Sequence, residues 1–171
     1  DVAAKTAAVA RTINAGQSCI CAKRFIVVGP AYERFLEKLT AAMKAVRVGD
    51  PTDATTDIGP QARRELRDEL HGQVRQAIAQ GARPVLGCEI PAGPGAFYPA
   101  SILADVRPDN VAAREELFGP VAVVIRAKDG DEAVAIANES RFGLCASLWT
   151  SSPAEVERLV PLIQAGAVFV N

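Results

Sequence analysis

The sequence predicts an α/β domain built on a largely parallel open sheet flanked by helices. Two patterns carry that prediction. Short apolar runs of strand length alternate with longer stretches whose apolar residues recur at helical spacing, and residues 121–127 are apolar at nearly every position, as a strand covered on both faces requires. Clusters of Gly, Pro and Asp separate the elements.

In chain order, residues 2–13 are alanine-rich with apolar positions at Val2, Val9 and Ile13, which predicts a helix. Residues 25–28, Phe-Ile-Val-Val, read as a buried strand. Gly29-Pro30 stops it, and Pro30 suits the first turn of a new helix. Tyr32, Phe35, Leu36, Leu39, Met43 and Val46 recur at helical spacing, so residues 31–46 are expected to lay an amphipathic helix on one sheet face. Residues 49–60 are rich in Asp, Thr, Pro and Gly and mark a surface connection. Leu66, Leu70, Val74 and Ile78 form the stripe of a second long helix that Gly81 ends.

Val85-Leu86 reads as a short strand near a sheet edge, because Pro84 cannot donate to a ladder. Residues 87–99 form a Gly- and Pro-rich loop with room for one irregular strand, and residues 101–106 a further short strand. After the apolar run at 121–127 come a helix at 131–138 and a strand at 145–150. Ser152-Pro153-Ala154-Glu155 has the form of a capping box, opening a helix towards Leu162 with Val156, Leu159, Val160 and Ile163 inward. Gly166 ends it, and residues 167–170 close the fold as a strand. There is no internal repeat and no low-complexity segment.

With 171 residues and a 49% hydrophobic share, this is one domain with a sizeable core. A formal charge of −1, from 19 basic and 20 acidic residues mixed along the chain, leaves no electrostatic footprint for nucleic acid or an anionic membrane surface. No apolar run reaches membrane-spanning length, and the first residues lack the pattern of a secretory leader, so a cytoplasmic location is expected. The four cysteines, Cys19, Cys21, Cys88 and Cys145, are irregularly spaced in apolar or turn contexts, which fits reduced thiols better than a disulfide framework. The chain has no initiating methionine and opens within a helical pattern, so it is expected to be a piece of a longer protein.

The stretch with the most chemistry is Asn14-Ala15-Gly16-Gln17-Ser18-Cys19-Ile20-Cys21-Ala22-Lys23-Arg24. It leaves the first helix, bends at Ala15-Gly16 and presents Cys19 just before a strand. Backbone N–H groups at such a bend favour a thiolate, and the same donors can stabilise the alkoxide formed when sulfur attacks a carbonyl. Gly16 permits the backbone conformation that would aim them. Read alone, the pattern equally suits a cysteine used as buried filler.

Asn14-Ala15-Gly16-Gln17-Ser18-Cys19 resembles the active-site signature of the aldehyde dehydrogenase superfamily, and Glu115-Glu116-Leu117-Phe118-Gly119-Pro120-Val121 resembles its second signature, in the family's order. Val48-Gly49-Asp50-Pro51, Ile58-Gly59-Pro60, Gly81-Ala82 and Phe97-Tyr98-Pro99 fall where the family places comparable turns, so the likeness spans the chain. It implies the family's catalytic-domain fold and Cys19 as nucleophile. The thiolate adds to an aldehyde, the thiohemiacetal yields hydride to NAD or NADP, and the thioester is hydrolysed to a carboxylic acid. It implies that Glu116 hydrogen-bonds the ribose at the nicotinamide end of the cofactor and that Phe118 packs against the nicotinamide region. Asn14 reads as a turn-former, because the family draws its oxyanion-stabilising asparagine from an upstream segment.

Cys21 makes a Cys-x-Cys pair with Cys19 that resembles a redox lock found in some succinic semialdehyde dehydrogenases, although Cys21 equally suits small core filler, and that subgroup supplies the candidate substrate. Against it, members that bind a carboxylated aldehyde often carry arginine just before the motif asparagine, where this chain has Ile13. The resemblance also implies that residues 1–171 are an incomplete catalytic domain. The cofactor-binding domain, the upstream general-base glutamate and the C-terminal oligomerisation tail lie outside them, so the chain alone is expected to be inactive and its parent a homo-oligomer.

Two other classes remain open. A cysteine hydrolase or peptidase could use Cys19 with the lone His71 and an asparagine such as Asn171. A non-catalytic interaction domain of the same fold is the other. No metal is expected, since Cys19, Cys21, Cys88 and His71 lack structural-zinc spacing.

Overall fold

The computed structural model describes residues 2–171. Its centre is a four-stranded sheet of β1 (Arg24–Val28), β2 (Arg83–Leu86), β3 (Ser101–Ala104) and β4 (Val121–Ala127), in the order β1-β4-β3-β2. β4 runs parallel to both neighbours, pairing Arg24 with Val123 on one side and Ser101 with Val121 on the other. β2 joins β3 antiparallel at the edge, as Pro84 predicts, with a register irregularity between Pro84 and Leu86.

The alternation of side chains along β4 divides the core in two. Val121, Val123 and Ile125 pack on one face with Leu103 and with residues of α3 (Arg64–Ala79), α4 (Val111–Arg114) and α5 (Gly130–Asn138). Ala122 and Val124 pack on the other with Ile102 and with residues of α1 (Val2–Thr12) and α2 (Gly29–Lys44). All of Val121 to Ile125 are 0% exposed, which is why the run carries no polar alternation. Burying each valine contributes roughly 1.5–3 kcal/mol.

α2 begins with Pro30 in its first turn and buries Tyr32, Leu36, Leu39 and Met43. α3 buries Leu70 and Val74 of the expected stripe, with Ala77 beside them, while Leu66 and Ile78 are only partly buried. α1 forms as the sequence predicts but turns its larger apolar residues outward. Val2, Val9 and Ile13 are 69%, 62% and 49% exposed, while Ala4, Ala7, Ala8 and Arg11 are buried. The small alanines let α1 lie close to α2 and the sheet, so close approach rather than hydropathy chooses its inner face.

Other departures are local. The strand expected over 101–106 stops at Ala104, because Asp105 takes a left-handed φ of 54°. No strand forms in residues 87–99. The short helix α4, capped by the Asn110 side chain, was not visible in the pattern. The Ser152 side chain caps α6 (Pro153–Leu159), which passes into a 3-10 turn at Val160–Leu162, where Pro161 cannot continue the helical hydrogen bonds. Of its expected inward residues only Leu159 is buried. The last two strands, β5 (Ala146–Leu148) and β6 (Val168–Val170), pair in parallel with each other as a separate two-stranded sheet.

Cys88 is buried, and that burial pushes its thiol from 9.0 up to about 11. A thiol that ionises later in the folded chain than in the unfolded one stabilises the fold fully below its unfolded value and stops doing so as pH rises through the folded value. Urea unfolding should therefore lose roughly 2–3 kcal/mol between about pH 9 and 11 beyond what Cys88→Ala loses over the same range. Tyr98 is also pushed up, first by burial and then by the neighbouring Cys88 and Glu89, so the difference between the two proteins includes the part of its shift that Cys88 supplies.

Candidate active site

β1 and β4 are parallel neighbours, so the segments that lead into them emerge at one rim of the sheet. One carries Cys19 and the other Glu116 and Phe118. Their backbones touch. A Cβ built on Gly16 would lie 2.2 Å from the carbonyl carbon and oxygen of Gly119, a separation no side chain can occupy.

The bend before Cys19 is strained. Asn14, Ala15 and Gly16 have φ of 51°, 52° and 74°, the left-handed region that costs a residue with a Cβ about 1 kcal/mol or more. Its neighbours hold it in place. The Asn14 side chain donates to the Gln17 carbonyl at 3.0 Å, Gln61 Nε2 to the Ala15 carbonyl at 3.1 Å, and Arg11 Nη2 to the Gly16 carbonyl at 2.7 Å. The Ala62 amide donates to the Gln17 side-chain oxygen at 2.8 Å. Asn14 is thus a turn-former in the structure.

Cys19 sits on the exposed side of this bend, and Ile20 beside it is 63% exposed. Cys21 points the other way, buried, its thiol donating to the Ile13 carbonyl at 3.3 Å. Lys23 joins the two motifs: its Nζ is 3.1 Å from the Cys19 carbonyl and 3.0 Å from the Glu116 carboxylate. Glu115, next to Glu116, pairs with Arg141 at 2.5 Å. Phe118 is 41% exposed, while Leu117 before it is buried in the core. An exposed cysteine, a carboxylate 36% exposed and an exposed aromatic ring thus lie at one rim of the sheet.

Sequence reasoning missed three residues here. Arg11 is completely buried, with Nε and Nη1 lacking any acceptor among the described residues. Desolvation lowers its pKa to about 10, partly offset by Cys21 and Glu116, so it stays charged at neutral pH. Gln61 and Lys23 are the others. Their partners lie across the fold or along a bend, and no periodicity announces them. Arg24 donates to the carbonyls of Ile136 and Ala137 at 3.0 Å. Both arginines that flank the motif are therefore committed inside the chain, and neither is free to meet a substrate carboxylate.

His71 hydrogen-bonds the Tyr98 hydroxyl at 3.2 Å, and no hydrogen bond joins it to Cys19. Among the described residues no group of His, Cys, Asp and Glu is arranged to hold a metal ion. None of the described helices is long and apolar enough to cross a membrane.

The model of the aldehyde dehydrogenase family matches residues 1–171. A succinate-semialdehyde dehydrogenase [NADP(+)] of Mycobacterium avium is 49% identical over the whole chain, which covers 36% of that protein. A succinate semialdehyde dehydrogenase [NAD(P)+] of Escherichia coli is 44% identical over the whole chain, covering 37% of it. Among solved structures, lactaldehyde dehydrogenase from Escherichia coli superposes with a TM-score of 0.96 at 32% identity, over 99% of this chain and 36% of that one. A 3,6-anhydro-L-galactose dehydrogenase in complex with NAP superposes with a TM-score of 0.94 at 31% identity, over 98% of this chain and 36% of that one. The chain spans about a third of the length of these relatives.

Gly16→Ala is expected to cost the chain at least about 2 kcal/mol in urea unfolding, because the new methyl meets Gly119 backbone in a left-handed residue.

Proposed function

Because the chain belongs to the aldehyde dehydrogenase family, we propose that it is the cysteine-bearing part of an NAD(P)-dependent enzyme that oxidises an aldehyde to a carboxylic acid. One observation carries the reading: the Cys19 bend and the Glu116–Phe118 segment meet at a single rim with the sulfur accessible.

In this reading Cys19 is the nucleophile. Its thiolate forms the C–S bond to the aldehyde carbon, and the carbonyl oxygen takes the negative charge. The Cys19 amide, which donates to no protein acceptor among the described residues, is free to donate to that oxygen. A nicotinamide cofactor, when bound, supplies the hydride acceptor. Glu116 accepts hydrogen bonds from ribose hydroxyls and so orients that end, while Phe118 gives it a flat apolar wall. Water then cleaves the thioester and returns the thiol.

The substrate we propose is succinic semialdehyde, on the strength of the relatives named for it. Its carboxylate anchor must come from elsewhere than the motif, since Ile13 is apolar and Arg11 and Arg24 are internally bonded. The whole protein is proposed to be a cytoplasmic homo-oligomer with a small-molecule substrate, binding neither nucleic acid nor membrane.

A protein of the relatives' length carrying this segment should reduce NADP or NAD in the presence of succinic semialdehyde. Cys19→Ser should lower kcat by about 10³-fold or more, followed by absorbance of the reduced cofactor. The 171-residue chain alone should show no turnover. Sustained cofactor reduction by it would overturn the view that the remaining machinery lies outside this segment.

Cys21 is the proposed redox partner of Cys19. The disulfide would close a small, strained ring and require Cys21 to leave the Ile13 carbonyl, which makes it readily reduced. Diamide, taking up the electrons and protons of both thiols, should lower the mass of the tryptic peptide bearing them by two hydrogens. An unchanged mass removes the switch.

A further inference from the structure

Lys23 lies between the Cys19 bend and β1, its side chain only 18% exposed. Its ammonium donates to the carbonyls of Ser18 at 3.3 Å, Cys19 at 3.1 Å and Cys21 at 3.3 Å, and pairs with Glu116 Oε1 at 3.0 Å. Three protons face four acceptors, so the bend and the carboxylate share one cation.

The consequence follows from peptide geometry. No peptide bond in the described chain is cis, and in a trans peptide the C=O and N–H point in opposite directions. Drawing the Ser18 carbonyl towards Lys23 turns the Cys19 N–H away from it, and drawing in the Cys19 carbonyl does the same to the Ile20 N–H. Neither amide donates to a protein acceptor among the described residues. Two free donors are left beside the sulfur.

We propose that Lys23 is a positioning residue for the nucleophile: its ammonium gathers the carbonyls of the bend, keeps the Cys19 and Ile20 amides free for negative charge, and ties that arrangement to Glu116. This rests on the reading of Cys19 as nucleophile and Glu116 as cofactor contact. Glu116 engaged with ribose releases part of its hold on Lys23, and the ammonium then bonds the bend more strongly. Occupancy of the ribose contact is thereby felt at the sulfur.

The four cysteines supply the assay. In the folded chain, iodoacetamide should label exposed Cys19 and Cys145 and spare buried Cys21 and Cys88, read by peptide mass spectrometry. The rate at Cys19 relative to Cys145 should fall at least about threefold in Lys23→Met, with Cys21 and Cys88 still protected, and recover in Lys23→Arg, which keeps the charge and several donors. A general loosening would change both exposed thiols together and admit reagent to the buried ones. If Lys23→Met does expose Cys21 and Cys88, the same ratio is read in Lys23→Gln, whose amide still meets a carbonyl without the charge. An unchanged ratio in the folded variant, or no recovery with arginine, overturns the role of Lys23. A wild-type Cys19 no faster than Cys145 counts instead against the nucleophile itself.

Discussion

The arrangement depends on the parallel pairing of β1 with β4. Parallel neighbours begin at the same rim, so segments far apart in sequence are delivered side by side, where Lys23 can then pair with Glu116. The Lys23 carbonyl accepts from the Val123 amide at 3.1 Å, extending the ladder back to the edge of the Cys19 bend. A slip of the register would carry Glu116 and Phe118 away from the sulfur, and the fully buried alternation of β4 is what forbids a slip. The site lies at the N-terminal ends of these strands, whereas open parallel sheets more often place ligands at the carboxyl ends.

Strain at the bend is offset by the hydrogen bonds that surround it. Consecutive left-handed residues would not persist in an isolated peptide, but Arg11, Gln61 and Gln17 fix the carbonyls and side chains on either flank. Arg11 is the most expensive of these devices. A fully buried guanidinium with two nitrogens unmatched is hard to reconcile with stability alone, and its one short bond goes to the glycine that touches Gly119.

Much of this was legible in the sequence. Gly16, Cys19, Glu116 and Phe118 could be singled out because a signature is a local pattern, and the strand 121–127 because burial on both faces leaves no polar gap. The inner face of α1 was not legible, since alanine ranks below valine in hydropathy yet its small side chain permits closer packing. Lys23, Arg11 and Gln61 were missed for another reason: each acts through a carbonyl or carboxylate whose position is set by the fold, and a lone polar residue gives no hint of that. The separation of β5 and β6 from the main sheet was equally hidden, because strand patterns do not name their partners.

That separate pair has a consequence for how the molecule comes apart. Two parallel strands of three residues each, with Phe169 63% exposed, bury too little to hold their own backbone bonds against water for long. Their amides belong to the first cooperative unit to open, and those of β4 to the last. Melting followed at Trp149, which lies in the weaker part, would run ahead of melting followed by loss of secondary structure, and a single midpoint would describe neither.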